Sequence, residues 1–236
     1  MKGDFLLNFI VDCTMPAEYT KKLSDFGSVF KSAKINIADK SVSTHPDMQI
    51  HFLSNNYAIC APCVYEYYKN ILPSDILLEK GNSKIGYTYP ENCAYNIAKV
   101  QKYVICNEKI ADSKILEFYR MNSYKIIHVN QGYSKCNICS LSDKNFFTED
   151  VGIYNATNED LNPIILSVGG VALDGFNYGF IGGATGCFND TIIFSGKIDL
   201  HPNASEIITV IKKLGLKYIE LSDNTLRDFG SIISFG

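Results

Sequence analysis

Apolar residues come along this chain in short runs, divided by polar turns, with helical spacing between alternate runs. Residues 5–12 alternate and predict a strand. A helix follows from Thr14. Pro16 near its first turn sacrifices no hydrogen bond, and Glu18 suits the positive end of the helix dipole. Tyr19, Leu23 and Phe26 fall on one face, Gly27 stops the helix, and residues 28–37 read as a strand.

The same succession recurs. Residues 45–52 and 57–60 predict two strands, then a helix from Ala61 carrying Tyr65, Tyr68 and Ile71, then a strand at 85–89. A third unit opens at 93–97, continues with a strand at 102–106 and a helix at 111–121 with Ile115, Phe118 and Tyr119 inward, and closes at 124–129. A fourth opens at 134–139, with a strand at 146–148, a weak helix over 150–160 that contains Gly152, and a strand at 163–168. The fifth runs from Gly186 into Asp190, which leads a β-branched strand. Its helix starts at Asn203 with Glu206 three residues on, in the manner of a capping box, and buries Ile207, Val210, Ile211 and Leu214. A strand at 217–221 follows.

Residues 228–235 make half a unit, and residues 1–37 make the other half. The reading is one α/β domain, 1–236, of five ββαβ units beginning near 45, 93, 134, 186 and 228, closed on itself by its termini. Asp47, Asn96, Asn137, Asp190 and Ser231 lead the units. Pro16, Pro62 and Pro202 each follow a second strand, in phase. A non-repetitive α/β sheet with many short strands would give a similar pattern.

Composition adds bounds. The 236 residues are 46% hydrophobic and 20% charged, with a net charge of −3, which offers no basic field for nucleic acid. No apolar run reaches the 18 or so residues of a membrane helix, and the N-terminal run has no small-residue cleavage site. Eight cysteines without an export signal suggest reduced thiols in a cytoplasm. A protein partner or a homo-oligomer stays open, and nothing calls for a cofactor.

Five ββαβ units closed by their termini resemble the pentein fold, a five-bladed pseudo-fivefold α/β propeller. The guanidino-group-modifying enzymes (arginine deiminases, dimethylarginine hydrolases, amidinotransferases) share it with the non-catalytic translation initiation factor six family. The resemblance implies that strand-leading residues surround the pseudo-fivefold axis and form an acidic funnel for a small cation. It also implies a His-x-Asp motif and a cysteine nucleophile after a glycine. Phe188-Asn189-Asp190 is similar to the first, with phenylalanine for the histidine. Gly230-Ser231 is similar to the second, with serine for the cysteine. Asp47 matches the first-unit acid, and Asn137 stands where the family often has an acid. Serine is a poor nucleophile without an adjacent base, and phenylalanine carries no proton, so the usual mechanism is not expected.

Asp47, Asn96, Asn137, Asp190 and Ser231 are therefore the expected ligand set, with strand capping as the bland alternative. Two carboxylates in one cavity favour a cation, which a guanidino, amidine or amine group or a metal ion would supply. Candidates for a relocated nucleophile or base are Cys187, on a glycine-rich loop, His45, on the same face as Asp47 if residues 45–52 alternate, and Ser231 itself. Cys60 and Cys63 have redox-pair spacing at a helix start. Cys136 and Cys139 have zinc-pair spacing, but on a strand they would point to opposite faces, so no metal is expected. His128 and His201 read as surface or corner residues. Gly169-Gly170 and Gly182-Gly183 bound a loop with Asp174, Phe176 and Tyr178, either a lid over the funnel or a long connection.

Overall fold

A computed structural model describes residues 7–236. Residues 5 and 6 of the expected first strand lie outside the described residues. The chain begins β1 (Asn8–Val11), α1 (Ala17–Ser24), β2 (Ser28–Lys31). It continues β3 (Ile50–Ser54), β4 (Tyr57–Cys60), α2 (Tyr65–Ile71), β5 (Leu77–Lys80), then β6 (Ala98–Val100), β7 (Tyr103–Cys106), α3 (Ser113–Met121), β8 (Lys125–His128). Next come α4 (Ser134–Asn137), β9 (Ile138–Ser140), β10 (Asn145–Thr148), α5 (Val151–Thr157), β11 (Asn162–Ile165). The last part holds β12 (Val171–Ala172), β13 (Thr185–Phe188), β14 (Thr191–Phe194), α6 (Ala204–Lys213), β15 (Lys217–Glu220), β16 (Leu226–Arg227) and β17 (Ile233–Phe235).

Five three-stranded sheets result, in the orders β3-β4-β5, β6-β7-β8, β9-β10-β11, β13-β14-β15 and β17-β1-β2. In each, the first pair is antiparallel and the second parallel, and a helix joins the middle strand to the third. The fifth sheet takes β17 from one part of the chain and β1 and β2 from another. A small parallel pair, β12 with β16, stands apart from the five.

Burial explains which residues form which strand. The middle strands (FIV of β1, AIC of β4, VIC of β7, FFT of β10, IIF of β14) are buried throughout, so they are continuous apolar runs. The third strands lie at sheet edges, and all but β11 carry charge, as in LLEK of β5 and KYIE of β15. The first strands are short and face inward. Phe52, Lys99, Cys139, Cys187 and Ser234, one from each of the five, line a single central cavity of about 200 Å³.

Several expectations change. The third strand of the β3 unit is Leu77–Lys80 and not 85–89, because it pairs in parallel with Tyr57–Cys60 directly after α2. Residues 45–52 are not one strand: Pro46–Met48 form a 3-10 turn before β3. Residues 134–139 begin as α4 and only then become strand. Phe26 lies beyond α1 and is exposed, packing against Phe188, while Tyr19 and Leu23 are buried. Asn203 does not close a capping box. Its side-chain oxygen accepts the Ser167 N–H at 2.8 Å, and its amide donates to Glu206.

The largest correction concerns the unit containing Asp190. Its first strand is β13, so Asp190 leads the middle strand. The position corresponding to Asp47, Asn96 and Ser231, just before a first strand, falls at Gly182-Gly183. Taking 183 in place of 190 also evens the intervals between leading positions.

Candidate functional site

The turns that precede the first strands converge. Asp47 sits in the Pro46–Met48 turn with its carboxylate almost fully buried. Its Oδ2 accepts the Ser231 hydroxyl at 2.9 Å and the Cys136 thiol at 3.0 Å, while Oδ1 is buried without a partner. Ser231 also donates to the Gly182 carbonyl at 3.0 Å and holds a positive φ of 72°. A non-glycine residue in that region is strained, by an amount on the order of 1–3 kcal/mol, and the surrounding bonds over-determine it.

Cys136 is presented by α4, and Asn96 presents α4. Asn96 Oδ1 accepts the Lys135 N–H at 2.7 Å and the Cys136 N–H at 3.3 Å, and its Nδ2 lies 3.1 Å from Cys136 Sγ. Burial, then Asp47 and Asp228, push the Cys136 thiol well above its ordinary value.

His45 stands on the other side of Asp47. Its Nδ1 lies 3.8 Å from Asp228 Oδ1 and its Nε2 3.9 Å from Asp12 Oδ2. Nδ1 is buried without a hydrogen bond. Asp12 is held by Thr14 and Thr44. Asp228 accepts the Phe180 N–H at 3.0 Å and the Gly230 N–H at 2.9 Å, and burial raises its carboxyl above the ordinary range. Gly183 is required here, since a Cβ would lie 2.0 Å from Asp228 Oδ1. His45, Asp47, Asp228 and Cys136 are each at most 3% exposed.

Residues 173–180 cover this cluster. Leu173, Phe176, Tyr178 and Phe180 line a cavity of about 90 Å³ together with His45, Cys136 and Asp228. An open cleft of about 820 Å³ shares His45, Leu173 and Asp228 with it and carries Lys34, Lys40 and Arg227 at its walls. The segment between the two glycine pairs is thus a roof, fastened by the contact of Asp174 with Arg227 and by the Phe180 N–H on Asp228.

The model of the family of unknown function DUF6873 matches residues 10–233. The chain belongs to the DUF6873 family. No curated protein matches it. Among solved structures, this DUF6873 chain is similar to dimethylarginine dimethylaminohydrolase in an adduct with S-methyl-L-thiocitrulline, at 11% identity and a TM-score of 0.58, covering 98% of this chain and 100% of that one. It is similar to a variant of the Pseudomonas aeruginosa enzyme with serine in place of a cysteine, complexed with citrulline, at 11% identity and a TM-score of 0.56, covering 98% and 99%. An amidinotransferase of the saxitoxin biosynthetic pathway from Microseira wollei matches at 12% identity and a TM-score of 0.55, covering 92% and 88%. At these identities the likeness is one of fold: the DUF6873 chain has a mixed α/β fold resembling the pentein enzymes.

The structure brings Asp47, Asn96, Ser231 and the candidate base His45 together and leaves Asp190, Asn137 and Cys187 out of the cluster. Asp190 is exposed at the β13–β14 hairpin, ion-paired with Lys217 at 3.0 Å, which holds its carboxyl below the usual range. It leads a middle strand and so sits away from the cluster. Asn137 is buried but spends its amide on the Tyr133 carbonyl of its own turn. Cys187 lines the central cavity beside Lys99 and Lys135, a cavity His45 does not line, and burial raises its thiol. Asp47 lines that cavity together with the two lysines, whereas Asp228 lines the roofed cavity, so Asp47 lies between the two. His51 lines it too, but is bonded to Tyr119 at 2.6 Å, and burial lowers it to about 3.

Cys60 is buried and pushed up to about 12, and the exposed Cys63 is raised as well, so this pair lacks the low thiol value of a redox motif. Cys136 lines the roofed cavity and Cys139 the central one, so the two thiols are not placed around one point. His201 is buried, accepting the Asn203 N–H, while His128 stays exposed. Cys136 as a site residue and Asp228 and Asp12 as buried acids were not singled out in the sequence. Asp228 lies three residues before Ser231 in a glycine turn, and that was the signal available.

Proposed function

We propose that this chain binds a small organic cation with a guanidinium, amidinium or amine head group in the roofed acidic cluster. One observation carries the reading. Asp12, Asp47 and Asp228 are buried around a single histidine, and among the described residues no lysine or arginine pairs with any of them. Buried carboxylates without countercharge cost several kcal/mol each, and a cation with several N–H donors relieves that. The aromatic roof suits the same guest, because ring faces attract desolvated cations. In this reading the five sheets are blades around a pseudo-fivefold axis, in one domain, with the Asp47–Ser231 pair at the axis. All eight cysteines are free, in keeping with a cytoplasmic setting.

The reading excludes the usual thiol chemistry. By the resemblance Ser231 stands for the nucleophile, and its hydroxyl is shared by Asp47 and the Gly182 carbonyl. The Pseudomonas variant with serine for cysteine is complexed with citrulline, so that serine is compatible with a bound ligand in that protein. A second reading rests on Cys136, whose sulfur lies within 4.8 Å of a His45 ring nitrogen. It would make the chain a guanidino-group hydrolase or amidinotransferase with the thiol moved to Cys136 and the imidazole to His45.

A thermal-shift screen with arginine, agmatine and related amines tests both. A ligand at a hundredfold excess over its Kd adds about 2.7 kcal/mol, a rise of roughly 5 °C or more for a chain of this size. That rise is expected with at least one cation and is expected to vanish in Asp47→Asn and Asp228→Asn, with no ureido product formed. Stabilisation by no cation sinks the binding reading, and a ureido product that Cys136→Ser abolishes establishes the second.

A further inference from the structure

We infer that His45, Asp47 and Cys136 form a site for a divalent transition ion of the zinc class. A ring nitrogen of His45, a carboxylate oxygen of Asp47 and Cys136 Sγ all lie within 4.8 Å of one another, and all three residues are buried. Nitrogen, oxygen and thiolate sulfur around one point are the donors zinc takes, three from the protein with one position left open. Magnesium and calcium prefer all-oxygen shells and fit this set poorly.

Independent of that clustering, two polar atoms in it are orphaned. His45 Nδ1 and Asp47 Oδ1 are buried and have no hydrogen-bond partner. Buried polar atoms are nearly always satisfied, so a pair left empty in one cluster points to something that both would hold. The surroundings fit as well. The Nε2 side of His45 faces Asp12 Oδ2, itself fixed by Thr14 and Thr44, as in the carboxylate–histidine arrangement that orients ligating imidazoles. Asn96 fixes α4 and with it the thiol. The open position borders the 90 Å³ cavity that His45 and Cys136 line.

Binding releases one proton, the thiol proton now shared with Asp47, and leaves a thiolate on the ion. The ion supplies the positive charge that no lysine or arginine brings. The inference draws on that imbalance but does not depend on an organic ligand.

Cobalt(II) gives the test, since its bond to a thiolate produces a charge-transfer absorption. Reduced, chelator-stripped protein titrated with cobalt(II) is expected to show that band, saturating at one equivalent and displaced by zinc. Cys136→Ser is expected to remove it, His45→Gln and Asp47→Asn to weaken cobalt binding by about tenfold or more, and Cys63→Ser to leave it unchanged. If Cys136→Ser fails to fold by circular dichroism, the His45 and Asp47 variants decide. No band in the wild-type protein, a band that survives Cys136→Ser, or one lost in Cys63→Ser overturns the site. A cobalt band without any guanidino-induced thermal shift keeps this site and removes the organic-cation reading, and the reverse result separates them the other way.

Discussion

Glu149 shows what burial does to a single carboxyl near this cluster. Its Oε2 accepts the Ile181 N–H at 2.8 Å, its Oε1 is orphaned, and burial raises it from 4.5 to about 7. The folded chain therefore holds this proton more tightly than the unfolded chain. Its contribution to stability is complete below about pH 4.5, declines as pH rises toward 7, and is lost above that, a swing of about 3 kcal/mol at most. Glu149→Gln keeps the acceptor and is expected to flatten this part of the profile, raising stability at pH 8 relative to wild type. Denaturant midpoints at pH 5 and pH 8 check it. At this scale the sequence was a partial guide. Asp47, Asn96 and Ser231 were visible because a short polar residue before an apolar strand is a local pattern. Cys136 and Asp228 matter only through contacts across the chain, and no spacing encodes those.

At the scale of elements, legibility followed burial. Residues 57–60 were read to the residue because a middle strand is apolar on both faces. Leu77–Lys80 was missed because an edge strand carries charge. β13, with its Gly186 and its hairpin turn at Asn189, gave no apolar run. The strong run at Thr191–Phe194 was taken for the unit's start, and Asp190 was carried to the wrong place. Helix starts differ in the same physical way. Asp112 is fully buried and its Oδ1 accepts the N–H groups of Lys114 and Ile115 at the start of α3. Asp112→Ala is expected to cost about 2 kcal/mol, the upper end for a lost cap. Asn203, which caps nothing in α6, is expected to cost about 0.5 kcal/mol or less when replaced by alanine. Thermal melts of the two variants side by side decide the ranking.

For the molecule as a whole, the sheet built from both parts of the chain is the controlling feature. β17 pairs with β1, Phe235 against Asn8, and Ile232 bridges Gly186 of the neighbouring sheet. Removing residues 233–236 is expected to abolish the single cooperative unfolding transition and not merely fray an edge, because it takes one wall from the central cavity. Calorimetry checks this: a truncated protein that keeps a sharp transition within a few degrees of the full chain refutes it.

That sheet also sets a timetable. β1 leaves the ribosome long before its partner β17, and Ser231, which bonds Asp47, emerges with that partner. The carboxylates of the central cluster therefore stay in water until that stretch has emerged and are buried in one late step. A nascent chain stalled before residue 228 holds His45, Asp47 and Cys136 but lacks both Asp228 and Ser231, and cannot yet bury the cluster. The cell's chaperones would meet an acidic, open precursor, and the site would come into being only once β17 has paired with β1.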